Sequence, residues 1–248
     1  MNALAHLLTE TTPPWARIMA LDEACLRVEV APPKLSGAPG DRFDLLIDTD
    51  APEATVFEAV VGTRLPSTCP ERHINYDGSF CLGLRRSAII SREQAETFWQ
   101  TLRGYLLAQQ FAERHGRWPP GRGLSHGYEA ADCQIAAEQA AARCGLASDY
   151  AAALDHQAGW LAGPLPKVYP ADSCNHALAP EPDDSNKLGL MQGCMTCDAI
   201  AELFQHEWAR RAADGAFVRM ARMARPCCGT MPNCPLRAEP QAIGGVSK

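Results

Sequence analysis

Four strand-like segments in the first quarter of the chain constrain its fold most strongly. The second segment alternates Leu26, Val28 and Val30 with polar or small neighbours, as a half-buried strand does. The links between segments are short or rich in Gly and Pro, which favours antiparallel neighbours. The pattern predicts a four-stranded antiparallel meander, with strands at about 15–21, 25–31, 42–49 and 55–62.

A helix is predicted on each side of this meander. Three leucines close to the N-terminus share one helical face, and a Pro-Pro pair ends that helix. After the meander, Ser91 and Gln94 form a capping-box pattern that opens an amphipathic helix, and Gly116 stops it. Residues 1–126 are therefore predicted to fold as an α+β domain of helix, meander, reactive loop and helix.

The second half of the chain, residues 127–248, is predicted to be helical and Cys-rich. An Ala-rich stretch at 128–162 indicates two helices separated by Gly145. Prolines between 164 and 182 predict an irregular connector, and an amphipathic helix is predicted at 197–214.

Composition and charge exclude several classes of function. The formal net charge is -6, and no basic stripe is interleaved with aromatic residues, so nucleic acid is not an expected partner. The N-terminus lacks the pattern of a secretory signal, and no run approaches the roughly 18 apolar residues that span a bilayer. We therefore expect a cytoplasmic protein without a membrane partner.

The cysteines are expected to be reduced. Eleven cysteines in a chain of 248 residues give an odd count without an export signal, which argues against a disulfide framework. Cys25, Cys133 and Cys144 fall within strand or helix patterns and are interpreted as packing residues. Cys69 lies between two prolines, where exposure is compatible with the sequence, and no function is assigned to it.

One loop, "ERHINYDGSFCLGL" at 71–84, combines residues that favour thiol chemistry. Asp77-Gly78 predicts a tight turn, because Gly tolerates positive φ and the Asp side chain can bond its own backbone. Cys81 follows this turn directly. A thiolate is both a good nucleophile and, as a thioester, a good leaving group, so such a Cys can accept and release an acyl group.

This loop, set beside the order of elements, resembles the ubiquitin-conjugating enzyme family. In that family a His-Pro-Asn tripeptide precedes "DGxxCL", and the Cys carries a ubiquitin-like protein as a thioester. The matching positions here are His73, Asn75, Asp77, Gly78, Cys81 and Leu82. Ile74 replaces the usual Pro, and the spacing from His to Cys is two residues shorter than in most eukaryotic members.

The resemblance implies a catalytic set of Cys81, Asn75 and His73. Cys81 would carry the acyl group, and the Asn75 amide would stabilise the oxyanion that forms when lysine attacks, or hold the loop. For His73, loop packing and a direct chemical role both remain open, because a base needs a geometry that the sequence does not give.

The resemblance also implies partners. They are an activating enzyme, a ubiquitin-like protein and a protein target, with a JAB-type isopeptidase encoded in the same operon. The segment "FWQTLRGYLLAQQFAERHGRWPPGRGLSHG" is similar to the region after the active Cys in bacterial relatives of anti-phage conjugation operons. The chemistry itself requires no cofactor.

A structural zinc site is predicted in the Cys-rich second half. Cys194 and Cys197 have CxxC spacing, and Cys228 and Cys234 complete a set of four thiolates. Reduced thiols that pack a small helical module are the alternative. Three further residues are candidates for the ligand set: Cys174, His176 and Cys227.

Two other classes of function remain open. A binding module with the same fold would recognise a ubiquitin-like protein without chemistry, although retention of Cys81 argues against it. A cysteine hydrolase would pair Cys81 with His73 or His126, but the chain shows no recognisable hydrolase signature.

Overall fold

The chain was analysed as a computed structural model that describes residues 2–34, 36–84, 87–120, 122–156, 158–165, 194–224, 227–232, 234 and 236–237, with the side chains of 156 and 194–197 excepted. It divides into two compact units. The first comprises Met1–Pro119 and the segment from Ala221 onwards, and the second comprises Pro120–Met220. The boundary between residues 126 and 127 that we predicted from the sequence remains a prediction.

The sheet of the first unit is the predicted antiparallel meander. Its strands β1 (Ala16–Leu21), β2 (Cys25–Val30), β3 (Phe43–Asp48) and β4 (Thr55–Glu58) pair in chain order, each antiparallel to its neighbour. Alternate residues of β2 and β3 are fully buried, as the period of two requires for a sheet with one covered face. The sheet therefore has one face in the core and one face that is at least partly exposed.

Two helices contribute to the core of the first unit. Helix α1 (Ala3–Glu10) begins at Asn2, whose side chain accepts a hydrogen bond from the amide of Ala5. Helix α2 (Arg92–His115) begins at Ser91 with the predicted capping box and ends at Gly116 in the left-handed region. The indole of Trp99 in α2 donates to the carbonyl oxygen of Leu8 in α1 at 3.3 Å, which joins the two helices in the interior.

The second unit is helical. Helices α3 (Tyr128–Arg143) and α4 (Ala147–His156) flank Gly145, as predicted, and a short 3-10 helix covers Trp160–Ala162. Helix α5 (Cys194–Ala224) is longer than the predicted helix at 197–214. The side chains of Leu203 and Phe204 on α5 are buried. The predicted connector at 164–182 lies outside the described residues from residue 166 onwards.

Two sequence-based expectations for the first unit need correction. The fourth strand ends at Glu58 rather than near residue 62, because the Glu58 carboxylate accepts backbone amides of the following loop and so turns the chain out of the sheet. Cys69 is buried, with 1% of its surface exposed, because it packs with Met231 and Cys234 from the C-terminal segment.

Candidate active site

A tight turn positions the loop that precedes Cys81. Gly78 has a φ of 86°, and its amide donates to the carbonyl oxygen of Asn75 at 3.0 Å. The carboxylate of Asp77 accepts a hydrogen bond from the amide of Ser79 at 2.9 Å. The turn predicted from Asp77-Gly78 is therefore present, and Gly78 is required there by its backbone conformation.

Cys81 lies immediately after this turn. Its amide donates to the carbonyl oxygen of His73 at 2.8 Å, and its thiol donates to the carbonyl oxygen of Gly83 at 3.5 Å. The residue is half-buried, and its side chain is a thiol rather than half of a disulfide. The backbone of Cys81 is thus fixed while part of the residue remains accessible, which suits a nucleophile that must meet another protein.

His73 supports the loop through its backbone. Its φ of 53° is in the left-handed region, which is uncommon for a residue other than Gly, and its carbonyl oxygen accepts from both Cys81 and the Tyr105 hydroxyl. Its imidazole is buried and packs edge-on against Trp118, with ring centres 4.9 Å apart. Of the two roles left open by the sequence, this geometry favours loop packing.

Asn75 is exposed, and its side-chain amide lies on the turn. The amide donates to the Ser79 hydroxyl at 2.9 Å, and the backbone amide of Asn75 donates to the carbonyl oxygen of Ser79 at 2.8 Å. These two bonds hold the turn closed. The side-chain amide therefore already has a structural task, in addition to any part in catalysis.

Glu58 is a supporting residue that the sequence analysis did not identify. Its buried carboxylate accepts from the backbone amides of Gly62, Arg64 and Leu65, each at 3.1 Å. The loop held in this way carries Val61, which lies against Gly78. A single Glu after a strand gives no signal of this role, because Glu is usually exposed.

Arg72 is a second supporting residue that the sequence did not reveal. It is 3% exposed, its Nε donates to Gln109 at 2.8 Å, and its carbonyl oxygen accepts from the same Gln109 side chain at 2.6 Å. Burial raises the pKa of Tyr105 well above its usual value, so this phenol remains a neutral donor to the carbonyl oxygens of Arg72 and His73. Helix α2 thereby fixes the start of the loop.

The predicted zinc ligands have different outcomes. The side chains of Cys194 and Cys197, with residues Cys174 and His176, lie outside the described part of the chain. Cys228 and Cys234 lie in the first unit, together with Cys227 and Cys69. Among the described residues, no group of three or more His, Cys, Asp or Glu side chains is already arranged to hold a metal ion.

His126 belongs to the second unit. Its Nδ1 lies 3.0 Å from a carboxylate oxygen of Asp214, and its ring stacks on Phe217. Burial alone would raise the pKa of Asp214, but the hydrogen bond and charge of His126 outweigh burial and lower it. His126 thus has a structural ion pair.

Within the described ranges, no helix is long and apolar enough to cross a membrane.

Fold and site together define a class of protein: an α+β domain, consistent with an E2-like core, that presents one cysteine from a tight turn between an antiparallel meander and a long helix. Comparison with protein families agrees with this class. The family described as "E2-ntca: Prokaryotic E2 domain" matches residues 22–120, which include β2–β4, the Cys81 loop and α2. This match supports a bacterial E2-like family, a family of ubiquitin-like conjugation, for residues 22–120, which are less than half of the chain. Neither a curated protein nor a solved structure matches the chain.

Proposed function

We propose that this protein is a conjugating acyltransferase that carries a ubiquitin-like protein as a thioester on Cys81 and transfers it to a lysine of a target. The observation that supports this proposal most strongly is the placement of Cys81. It is a half-buried thiol outside any disulfide, it directly follows a tight turn, and its amide donates to the carbonyl oxygen of His73. The family match includes this loop.

Loading is an exchange between thiols. The Cys81 thiolate attacks the C-terminal carbonyl of the ubiquitin-like protein, which the activating enzyme holds as a thioester. The new C–S bond forms as the old C–S bond breaks, and the thiol of the activating enzyme leaves. No cofactor is needed for this step on the conjugating protein.

Discharge transfers the acyl group to an amine. The neutral lysine amine attacks the Cys81 thioester, a C–N bond forms, the C–S bond breaks, and the amine proton passes to solvent or to the target. The carbonyl oxygen gains negative charge in the intermediate, and one hydrogen-bond donor at that position is typically worth about 10²- to 10³-fold in rate. The side-chain amide of Asn75 is our candidate donor. It would either leave the Ser79 hydroxyl to reach the oxyanion or donate to both.

The proposed setting is a cytoplasmic bacterial conjugation pathway with a role in anti-phage defence. Its partners would be an activating enzyme, a ubiquitin-like protein, a protein target and a JAB-type isopeptidase. The match to a prokaryotic E2 domain supports the first two partners. The defence role and the isopeptidase rest on the sequence resemblance alone.

The test is a loading reaction with the protein, its activating enzyme, ATP and the ubiquitin-like protein. We expect an adduct that requires ATP and that added thiol removes, because a thiol attacks a thioester but not an amide. Replacing Cys81 by Ser is expected to give a reductant-resistant ester if the hydroxyl is activated. Tight binding of the ubiquitin-like protein without any adduct would instead identify a binding module and overturn the proposal.

A further inference from the structure

Four cysteines from two distant parts of the sequence meet in the first unit. Cys69 and Cys228 are separated by 159 positions in the chain, yet their sulfur atoms lie 3.1 Å apart. Cys69 and Cys234 are buried in the same cluster, and Cys227 and Cys228 pack against it. We call these four residues the thiol cluster. It shares only half of its members with the zinc ligands predicted from the sequence.

Two sulfur atoms of the thiol cluster lie against polar groups. The Cys227 sulfur accepts the backbone N–H of Gly229 at 3.4 Å, and the Cys228 sulfur lies 3.1 Å from the Thr230 hydroxyl oxygen. A hydrogen-bond donor stabilises a thiolate more than a neutral thiol, because the thiolate is the stronger acceptor.

A buried cation accompanies the thiol cluster. Arg72 is 3% exposed, and its Nη2 has no hydrogen-bond partner; the nearest carboxylate, that of Glu113, lies 3.9 Å away. A buried guanidinium with an unused donor is costly unless negative charge lies nearby. Arg72 adjoins the thiol cluster, because its backbone amide donates to the carbonyl oxygen of Cys69 at 3.0 Å.

We propose that Cys69, Cys227, Cys228 and Cys234 bind one structural zinc ion. Zinc prefers tetrahedral sites, and four thiolates form a common structural set. Four thiolates and Zn²⁺ together carry a net charge of about -2, which the Gly229 amide and the Arg72 guanidinium would partly offset. Binding would release the protons that the thiols hold.

Zinc binding requires the sulfur atoms of the thiol cluster to rearrange. Zn–S bonds of about 2.3 Å in a tetrahedron place the sulfur atoms about 3.8 Å apart. The sulfur atoms of Cys69 and Cys228, which are 3.1 Å apart, must therefore separate slightly, and those of Cys227 and Cys234 must join them. The cluster is not a preformed metal site, in agreement with the absence of such a group among the described residues.

The thiol cluster is connected to the candidate active site through the backbone of Cys69. Cys69 and Ile74 form an isolated bridge, with hydrogen bonds of 3.0 Å in both directions between their backbones. Ile74 lies between His73 and Asn75. A zinc ion on Cys69 would fix the base of this loop to the C-terminal segment. This role goes beyond the proposed acyl transfer and does not depend on it.

Elemental analysis of the purified full chain tests the proposal. We expect about one equivalent of zinc in the wild type and less than about a third of an equivalent in Cys69→Ser. The control variant Cys133→Ser, in helix α3, should retain the wild-type content. Cys194→Ser separates the two ligand sets, since it leaves zinc in place if the thiol cluster binds it. Loss of zinc in Cys194→Ser with retention in Cys69→Ser would overturn the proposal.

A second measurement on the wild type avoids variants that fail to fold. Alkylation followed by peptide mapping reports which thiols react before and after a chelator is added. We expect all four cysteines of the thiol cluster to be protected together and to become reactive together, with Cys81 reactive in both states. Protection that a reducing agent removes and a chelator does not would identify a Cys69–Cys228 disulfide instead. That result, or equal reactivity in both states, would contradict the zinc site.

Discussion

The amide of Cys81 donates to the carbonyl oxygen of His73 at 2.8 Å, and the hydroxyl of Tyr105 donates to the same oxygen at 3.1 Å. One carbonyl therefore joins the candidate nucleophile to helix α2. The His73 residue acts through its backbone in this relationship, while its imidazole packs on Trp118. The loop is thus positioned by residues that need not contact the acyl group at all.

The turn before Cys81 should not tolerate a side chain at residue 78. In Gly78→Ala, the new Cβ would lie 2.8 Å from the Val61 side chain. This close contact would add to the strain of a positive φ. The matched control is Gly37→Ala, where φ is 81° and no atom lies within 4 Å of the Cβ. We expect the control to lose about 1 kcal/mol of unfolding free energy and Gly78→Ala to lose about 2 kcal/mol or more. Equal losses of unfolding free energy in denaturant titrations would mean that the Val61 side chain moves away from the new Cβ at no cost.

The Glu58 carboxylate should be a major support of the loop that follows β4. Glu58→Gln leaves one acceptor oxygen and places an NH₂ group against backbone amides, so we expect a loss of about 2 kcal/mol of unfolding free energy. Glu96→Gln is the control, because Glu96 pairs with Arg92 on the surface and such pairs contribute about 0.5 kcal/mol. Denaturant titrations of both variants measure the difference. A Glu58→Gln protein as stable as Glu96→Gln would show that the three hydrogen bonds are dispensable.

Asn75 should affect discharge more than loading. Asn75→Ala is expected to load Cys81 to nearly the wild-type extent but to transfer to lysine about tenfold to a thousandfold more slowly. Ser79→Ala separates the two roles of this amide, because it removes the hydroxyl that the Asn75 side chain holds. Pulse-chase discharge to free lysine, with circular dichroism as a folding check, measures both variants.

The two outcomes for Ser79→Ala identify the role. If the Asn75 amide is an oxyanion donor, it acts without the Ser79 hydroxyl, so Ser79→Ala would discharge at close to the wild-type rate. A loop support would instead slow discharge equally in both variants. Wild-type discharge by a folded Asn75→Ala protein would exclude both roles.

The ion pair of His126 and Asp214 should contribute to stability in a pH-dependent manner. The pKa of Asp214 is lower in the folded protein than its ordinary value of 3.8, so the folded state favours the carboxylate. This contribution is present above the unfolded pKa and is lost as pH falls through the folded pKa. We expect Asp214→Asn to be less stable than the wild type near pH 5.5, with the difference shrinking as the pH falls below the ordinary pKa of 3.8. A difference that grows on acidification would reverse the assigned sign.

Local signals in the sequence were sufficient for much of the first unit. Ser91 with Gln94 predicted the start of α2, Gly116 predicted its end, and the short links predicted the order of the strands. These features depend on residues close in sequence, whose conformational preferences act locally. The turn at Asp77-Gly78 belongs to the same group.

Long-range contacts explain what the sequence did not reveal. Nothing near Glu58 or Arg72 indicates that these charged residues are buried, since their partners come from a folded loop and from helix α2. Cys69 was interpreted without its partner Cys228, because a separation of 159 positions leaves no local pattern. Spacing such as CxxC identifies only those ligands that are neighbours in sequence.

The measurement that tests the central claim most directly is the location of the adduct. Wild-type protein and Cys81→Ala are loaded in parallel with activating enzyme, ATP and the ubiquitin-like protein, and the product is analysed by intact mass and peptide mapping without reductant. Cys25→Ala is the matched control, since Cys25, at the start of β2, is likewise a half-buried thiol outside any disulfide. Our account predicts one reductant-sensitive adduct on the peptide that contains Cys81, retained in Cys25→Ala and absent from a folded Cys81→Ala. An undiminished, reductant-sensitive adduct in Cys81→Ala would contradict the account and place the acyl-carrying thiol elsewhere in the chain.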